Sequence, residues 1–433
     1  MNIRTVTVIG ANGAMGSNIS AIFASFGNAK VYMVGRDYAK TEAVVSKAAA
    51  SVKSGVVAKN LIPMDYSSLG KCVSESDLVF ESVAEEISVK EDVMRLFTDH
   101  LRKNTLVCTG TSGLSVTKLA EILPEELRAN FFGVHMFNPP YNMSLCELIP
   151  TKYSPPALVD CLKNYLSQKL LRTVVQVSDA PAFLANRIGF AFINEAMLLA
   201  EKHKDQGGID YIDAIFGGFT GRSMAPLTTA DFVGLDIHKM IVDNIHTHTQ
   251  DYAHGSFRLP EFAQKLIDKG ALGRKSKGGL YKMAVSDGVK KLTVYDIASD
   301  TYRDKINYAF PFAEEMMNSF KTGDYKAGFL SLINNRSVEA ELCLTTLLRY
   351  VVYSLVTAEA VVDSFHSADD AMATGYNWCP PLAMIDALST VKDVPPLIQK
   401  HLQSVCEVVD IDKLWYGVEK SAYDYRKYFR AVK

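Results

Sequence analysis

Residues 5–26 read TVTVIGANGAMGSNISAIFASF, and this stretch decides the fold of the N-terminal part of the chain. Its first residues are almost all β-branched, which predicts a strand buried on both faces of a parallel sheet. The segment GANGAMG follows directly, and the run SNISAIFASF after it predicts a helix. A strand, a glycine turn and a helix in this order place backbone N–H groups at a helix N-terminus, where they bind phosphate.

The glycine segment predicts a dinucleotide site. Its glycines are spaced GxxGxxG, one residue longer than the usual GxGxxG pattern. A plain glycine-rich turn without a ligand is the alternative. The residues expected to contact the cofactor are Gly10, Asn12, Gly13, Ala14, Met15 and Gly16.

The end of the second predicted strand bears on the choice of cofactor. Lys30–Val34 is strand-like and runs into Gly35, Arg36 and Asp37. In a dinucleotide fold this position faces the adenosine ribose, where a carboxylate suits NAD and an arginine accommodates the 2′-phosphate of NADP. Gly35 with Arg36 therefore favours NADP(H), or use of both cofactors, although the Asp37 carboxylate is a second candidate for the ribose.

Residues 131–150 contain the candidate catalytic pair. They read FFGVHMFNPPYNMSLCELIP, two short apolar runs on either side of a proline turn. Proline cannot donate to a strand ladder, so the turn must separate two strands. Pairing of these strands would bring Glu147 to His135, where the carboxylate would orient one ring nitrogen and leave the other to take a substrate proton. The alternative is a core histidine and an edge glutamate with no mutual contact.

A further polar candidate follows the predicted strand Thr105–Cys108. Ser112 lies in the loop TGTSG at the carboxyl end of this strand, where open α/β sheets bind ligands. The same serine is also a candidate N-cap for the helix predicted over VTKLAEIL.

Beyond Val177 the strand pattern becomes rare and the chain is predicted to be mostly helical, with MAVSDGVKKLTVYD at residues 283–296 as a linker. A faint internal repeat is visible: Pro-Leu is followed by an aspartate five residues after the proline, at Pro226 with Asp231 and at Pro381 with Asp386. The expected domains are residues 1–180, 181–295 and 296–433.

Composition places the chain among ordinary globular proteins. With 433 residues, 48% hydrophobic and 22% charged, it fits two or three domains. A net charge of −2 indicates neither a nucleic-acid nor a membrane-surface partner. Seven scattered cysteines without a CxxC pair predict reduced thiols, no metal site and a cytoplasmic location.

The first strand begins close to the N-terminus, so no targeting peptide is expected, and the apolar run Tyr350–Val362 is predicted to be a core helix.

Five motifs in chain order resemble the 3-hydroxyacyl-CoA dehydrogenase family: GANGAMG, TSGL, GVHMFNPP, CELIP and PAFLANRIGF. The likeness covers about residues 3–283, and the repeat extends it to the end. It implies an α/β Rossmann-type dinucleotide-binding domain followed by two all-α domains of the family's C-terminal type, the second a diverged copy.

The resemblance also implies roles for individual residues. It implies that His135 is the general base and that Glu147 orients it. It also implies that Ser112 and Asn186 are hydrogen-bond partners of the substrate oxygen. The positions that match residues lining the nicotinamide cofactor are Glu85, Lys90, Asn138 and Lys275.

The activity implied by the resemblance is NAD-dependent interconversion of 3-hydroxyacyl-CoA and 3-oxoacyl-CoA, as in fatty acid β-oxidation. Three features depart from the family pattern: the longer glycine loop, Gly35 in place of a carboxylate, and a short segment after the second strand. Because the segment after the second strand is short, the resemblance does not decide which acyl carrier the substrate has. Short members of the family pair through the first helical domain. A second copy of that domain in the same chain can take the partner's place, so the resemblance predicts a monomer that contains an internal pseudo-dimer.

Two other functions stay open from the sequence. A β-hydroxyacid or 6-phosphogluconate-type dehydrogenase has a similar domain layout but generally relies on a lysine base. A non-catalytic dinucleotide-binding protein would retain the fold without the reaction, and the presence of His135, Glu147 and Asn186 argues against it.

Overall fold

The structure, a computed structural model of the chain, describes residues 1–276, 278–286 and 289–429. It divides into two compact units, one from Met1 to Phe183 and the other beginning at Leu184. Both predicted helical segments therefore lie in one unit, apart from residues 181–183. Their division into separate domains at residue 295 stays a prediction.

The first unit is built around one sheet of eight strands. In chain order these are β1 (Thr5–Ile9), β2 (Lys30–Gly35), β3 (Leu61–Asp65), β4 (Leu78–Glu81), β5 (Leu106–Thr109), β6 (Phe131–Met136), β7 (Leu145–Ile149) and β8 (Thr173–Gln176). Across the sheet the order is β3-β2-β1-β4-β5-β6-β7-β8. The first six strands run parallel, as in a Rossmann fold, whereas β7 is antiparallel to β6 and β8 is parallel to β7. The chain reverses its strand order between β1 and β4, which is where such sheets bind ligands.

Helices flank this sheet and supply its apolar layers. They are α1 (Ala14–Ser25), α2 (Tyr38–Ser51), α3 (Leu69–Glu75), α4 (Ile87–Phe97), α5 (Val116–Ala120) and α6 (Pro156–Asn164). On α1, the ring of Phe23 meets that of Phe80 in β4 edge-on, with centroids 6.0 Å apart. Helix α2 ends at Ser51, and a 3-10 turn, Gly55–Asn60, follows it.

The edge strand β3 has no counterpart among the sequence predictions. It contains Pro63, and proline weakens the strand signal because it cannot donate to a ladder. Proline is tolerated here because β3 is the outermost strand and pairs only with β2 in this sheet.

The second unit is predominantly helical, as predicted. Its helices are α7 (Ala185–Lys202), α8 (Ile209–Ile215), α9 (Pro226–Val233), α10 (Leu235–His248), α11 (Glu261–Asp268), α12 (Pro311–Lys321), α13 (Tyr325–Asn334), α14 (Val338–Val361), α15 (His366–Gly375), α16 (Pro381–Ser389), α17 (Val394–His401), α18 (Gln403–Cys406) and α19 (Ile411–Tyr416). By length and composition α14 is apolar enough to cross a membrane, but 72% of its apolar window is buried within the structure. That burial is typical of a core helix.

The predicted linker at residues 283–296 is wrong, since most of it forms strands. An antiparallel sheet of three strands comprises β9 (Tyr281–Ser286), β10 (Val289–Asp296) and β11 (Thr301–Asp304). The overlooked sign in the sequence was Asp-Gly between two β-rich runs, a typical hairpin pattern. Those two residues, 287 and 288, lie outside the described part of the chain.

The repeat seen in the sequence corresponds to two matching helix starts. Pro226 opens α9 and Pro381 opens α16. Asp213 in α8 accepts a hydrogen bond from Leu227 N at 2.8 Å, and Asp369 in α15 accepts one from Leu382 N at 2.8 Å. Each of these two helices is thus capped by an aspartate from the preceding helix.

The second aspartate of each repeat holds a later segment of chain. Asp231 accepts from Leu280 N at 2.7 Å, and Asp386 accepts from Ser421 N at 3.1 Å. In addition, the hydroxyls of Tyr281 and Ser421 donate to the capping aspartates Asp213 and Asp369 respectively. An internal repeat predicts such parallel contacts, and duplication of a whole domain stays a prediction.

The buried cap Asp369 makes stability depend on pH. Burial raises the pKa of this carboxyl to about 7, against opposing hydrogen bonds from Ser421 and Leu382. Its unfolded value is about 3.9. Between about pH 4 and pH 7 the folded protein therefore keeps a proton that the unfolded chain releases, so the free energy of unfolding falls as pH rises through this range.

We expect Asp369→Asn to reduce this pH dependence, because asparagine still accepts from Leu382 N but does not titrate. Each pKa unit is worth about 1.4 kcal/mol, so the wild-type loss assigned to Asp369 is at most about 4 kcal/mol. Urea unfolding at several pH values between about 4.5 and 7.5 measures it. Asp324→Asn, at the exposed N-cap of α13, is the matched control. Equal slopes for wild type and Asp369→Asn would contradict the assignment.

Candidate active site

The loop after β1 is shaped for close backbone approach. Gly10 has a φ of 81°, and a Cβ there would lie 2.3 Å from the carbonyl oxygen of Ser82. A Cβ on Gly16 would lie 2.4 Å from the carbonyl oxygen of Gly10, so α1 also packs directly on the loop. Glycine is therefore required at both positions.

The N-terminus of α1 fits an anionic group. Its N-cap residue is Gly13, which has no side chain to cap the first-turn N–H groups. Those N–H groups and the helix dipole favour a phosphate at this point. Asn12 and Ala14 are exposed beside it and Met15 is half-buried, so the predicted cofactor loop fits a dinucleotide pyrophosphate.

The end of β2 has no room for the usual carboxylate. A Cβ on Gly35 would lie 2.3 Å from Thr41 Oγ1 and 3.2 Å from Asn12 Cγ. The Asp37 side chain accepts a hydrogen bond from Lys40 N at 3.0 Å and caps α2. Capping engages one oxygen of the Asp37 carboxylate, and its contact with the ribose stays a prediction. Arg36 is exposed between these two positions.

A buried charged cluster lies at the carboxyl end of β4. Lys90 Nζ is 2.9 Å from Glu81 Oε1 and 3.3 Å from Glu85 Oε2, and both Lys90 and Glu81 are 1% exposed. Thr109 Oγ1 donates to Glu81 Oε2 at 2.7 Å. Buried charges persist only when paired and hydrogen-bonded, and this cluster meets both conditions.

Glu85 connects this cluster to the loop after β5. Its Oε1 accepts from Thr111 Oγ1 at 2.5 Å and from Ser112 N at 2.6 Å. The predicted cofactor residues Glu85 and Lys90 thus also fix the Ser112 loop. Sequence reasoning missed Glu81, although a glutamate in an otherwise apolar buried strand is itself a sign of a buried partner.

Ser112 does not cap the helix that follows it. The cap of α5 is Ser115, whose Oγ accepts from Lys118 N at 3.3 Å. Asp179 strengthens this helix start by accepting from Val116 N at 2.9 Å and Thr117 N at 2.8 Å. The alternative role predicted for Ser112 is therefore wrong, and the serine stays in the loop at the carboxyl edge of the sheet.

His135 and Glu147 form the contact predicted from the proline turn. They are opposite each other in the antiparallel pairing of β6 with β7, and His135 Nδ1 lies 2.7 Å from Glu147 Oε2. His135 is 5% exposed and Glu147 is fully buried. The rings of Phe137 and Phe183 pack on the imidazole, with centroids 4.6 Å and 5.7 Å away. A carboxylate that accepts the Nδ1 proton orients the imidazole, an arrangement with which Nε2 can exchange a proton.

The remaining predicted residues lie in loops and in the second unit. Asn138 follows β6 and its Oδ1 accepts from Asn18 Nδ2 of α1 at 3.4 Å. In the second unit, Asn186 opens α7 and its Oδ1 accepts from the Tyr376 hydroxyl at 3.0 Å. Lys275 Nζ lies 2.7 Å from Asp236 Oδ2. Among the described residues no group of three or more His, Cys, Asp or Glu side chains could hold a metal ion.

Known proteins similar to this chain agree with these features. Residues 5–180 match the family model described as 3-hydroxyacyl-CoA dehydrogenase, NAD binding domain, and residues 183–283 match that of the C-terminal domain. A probable 3-hydroxyacyl-CoA dehydrogenase of Bacillus subtilis (strain 168) is 28% identical over 426 residues, which is 92% of this chain and 52% of that protein. This chain thus spans about half the length of that relative.

Two further relatives bear on the family and the fold. A crystal structure of 3-hydroxybutyryl-CoA dehydrogenase from Escherichia coli K12 has a TM-score of 0.67 at 21% identity, covering 93% of this chain and 96% of that one, which is a likeness of fold. A probable 3-hydroxyacyl-CoA dehydrogenase of Caenorhabditis elegans is 30% identical over 297 residues, 65% of this chain and 93% of that protein. On this identity and on the two family models in chain order, the chain belongs to the 3-hydroxyacyl-CoA dehydrogenase family.

Proposed function

We propose that the protein is an NAD(P)-dependent oxidoreductase that interconverts 3-hydroxyacyl-CoA and 3-oxoacyl-CoA. The observation that carries this proposal is the buried 2.7 Å contact between His135 and Glu147. Further support comes from the glycine loop at the carboxyl edge of the same sheet and from membership of the 3-hydroxyacyl-CoA dehydrogenase family. A lysine-dependent hydroxyacid dehydrogenase does not account for an imidazole oriented in this way.

In the proposed reaction His135 is the general base. Glu147 accepts the Nδ1 proton, which selects the tautomer with the lone pair on Nε2. That nitrogen takes the proton of the 3-hydroxyl group during oxidation and returns it during reduction. Ser112 and Asn186 donate hydrogen bonds to the substrate oxygen, on which negative charge develops.

The cofactor site in this proposal is the loop from Gly10 to Gly16 with the α1 N-terminus holding the pyrophosphate. Lys90 and Glu85 line the nicotinamide end, together with Asn138 and Lys275. When bound, NAD(P)(H) supplies the hydride chemistry at the substrate C3. Whether NAD or NADP is preferred depends in this proposal on Arg36.

We expect His135→Ala and Glu147→Gln each to lower kcat by roughly two or more orders of magnitude, because general-base catalysis contributes about 10²- to 10⁴-fold. Cofactor affinity should change little, since neither residue belongs to the glycine loop. Absorbance of NADH or NADPH with acetoacetyl-CoA measures the rate, and fluorescence titration measures cofactor binding.

The matched control is Glu121→Gln, which alters an exposed carboxylate paired with Lys152. It should leave kcat unchanged. Near wild-type turnover by both His135→Ala and Glu147→Gln would remove the base assignment. Wild-type protein that binds dinucleotide but turns over no 3-oxoacyl thioester would favour the non-catalytic alternative.

Arg36 should decide the ratio of NADPH to NADH use. Its guanidinium is exposed beside Gly35, where charge-assisted contacts to a 2′-phosphate are worth about 1.5 to 3 kcal/mol, or roughly ten- to a hundredfold in affinity. We expect Arg36→Ala to lower kcat/KM with NADPH by that factor and to change kcat/KM with NADH little. Lys40→Ala, a nearby exposed cation, is the control. A tenfold or greater wild-type preference for NADH, unchanged in Arg36→Ala, would contradict this role.

We also propose that the intact chain is a monomer. Within the second unit, the α7 side chain Phe192 packs edge-on against Tyr350 and Trp378 from the second helical segment, residues 296–433, at centroid distances of 5.9 Å and 5.6 Å. Glu195 of α7 pairs with Arg349 at 2.5 Å. This segment therefore covers a face of α7 that would otherwise present apolar surface to a second chain.

Light scattering of the 433-residue chain should give the mass of one copy, 47.7 kDa. Deleting the residues after Asp300 should cause dimerisation or aggregation, because it removes the cover of α7. A truncated protein that stays soluble and monomeric would contradict the internal pseudo-dimer.

A further inference from the structure

The second helical segment contacts Asn186 through one tyrosine. The Tyr376 hydroxyl donates a 3.0 Å hydrogen bond to Asn186 Oδ1, although the two residues are 190 positions apart in sequence. Asn186 is 6% exposed in the first turn of α7, and Tyr376 is the C-cap residue of α15. The contact lies wholly within the second unit.

The backbone of α7 is shaped to receive the tyrosine ring. Gly189 follows Asn186 by about one helical turn. A Cβ at Gly189 would lie 2.3 Å from Tyr376 Cζ and 2.6 Å from its hydroxyl oxygen. Glycine within a helix costs stability relative to alanine, so its presence here is explained by the close approach of this ring.

Tyr376 also packs against a buried tryptophan. Its ring centroid lies 5.0 Å from that of Trp378, which is 1% exposed and donates its backbone N–H to Met372 O at 3.1 Å. Asn377 between them has a φ of 54°, a left-handed conformation in which asparagine is enriched. The ring of Tyr376 is therefore held by packing against both Gly189 and a buried tryptophan.

We propose that Tyr376 is a positioning residue that sets the amide orientation of Asn186, an inference that rests on the proposed role of Asn186 at the substrate oxygen. A carboxamide has an acceptor oxygen on one side and a donor NH2 on the other. Because the hydroxyl of Tyr376 donates to Oδ1, Nδ2 lies on the opposite side of the amide. That donor stabilises negative charge on the substrate oxygen, whereas the reversed amide would present an acceptor and repel it.

This assignment makes the second helical segment part of the catalytic machinery as well as a cover for α7. The effect falls on the transition state, where the charge on the substrate oxygen is largest. Loss of the tyrosine hydroxyl therefore lowers kcat and leaves ground-state affinities for acyl-CoA and cofactor in place.

The direct test is Tyr376→Phe, which removes only the hydroxyl. We expect kcat to fall about three- to tenfold, the rate equivalent of one neutral hydrogen bond, with KM for acetoacetyl-CoA and Kd for the dinucleotide unchanged. Gly189→Ala should lower kcat similarly by displacing the ring. Tyr423→Phe is the matched control, because it removes a half-buried hydroxyl of the same segment that donates to Asp370 at 2.6 Å.

A double-mutant cycle separates positioning from a loosened fold. In an Asn186→Ala background Tyr376→Phe should not change kcat further, because the amide that the Tyr376 hydroxyl orients is absent. An equal effect in both backgrounds, or no effect on the wild-type protein, would overturn the positioning role. If Asn186→Ala keeps wild-type kcat while His135→Ala does not, the assignment of Asn186 is what fails, and the inference about Tyr376 fails with it.

Discussion

The candidate site depends on the register of β6 against β7. Side chains alternate between the two faces of a strand, so a shift by one residue would separate His135 from Glu147. Gly133 helps to fix this register, because a Cβ there would lie 2.8 Å from Val116 Cγ2 and 2.9 Å from Ile149 Cβ. Val116 of α5 and Ile149 of β7 therefore close on the strand at a single point. The packing of these two side chains on Gly133 thus helps to position a polar pair two residues further along β6.

Glu81, Lys90 and Glu85 form a second buried polar cluster of the first unit. It has two carboxylates for one ammonium, and such an excess of buried charge is tolerable only with additional donors. Thr109, Thr111 and the N–H of Ser112 supply them. The same hydrogen bonds join the carboxyl ends of β4 and β5. They therefore connect the two loops that follow these strands and also offset the free-energy cost of burying the carboxylates. Rigid support of this kind is what preorganised catalytic groups require.

From the sequence, the features that are local could be predicted. The strand, glycine turn and helix at residues 5–26 occur as expected, and the proline turn correctly placed His135 opposite Glu147. Local pattern did not reveal β3, because an edge strand with a proline loses its strand signature. The partners of Glu81 and the contact of Tyr376 with Asn186 depend on residues distant in sequence. Such contacts are set by how elements pack, and a single sequence does not display that packing.

The start of α7 shows what a second helical segment in the same chain contributes. Arg187 there is 2.5 Å from Asp251, and both contact the hydroxyl of Tyr353 from α14. The buried guanidinium of Arg222 likewise lies 4.9 Å from the ring centroid of Tyr350 and 4.8 Å from that of Trp378, both of the second helical segment, and burial lowers the pKa of Arg222 to about 10. If these partners came from another chain, their occupancy would depend on protein concentration. Supplied within one chain they have a fixed, high effective concentration, so the orientation of α7 side chains does not depend on association.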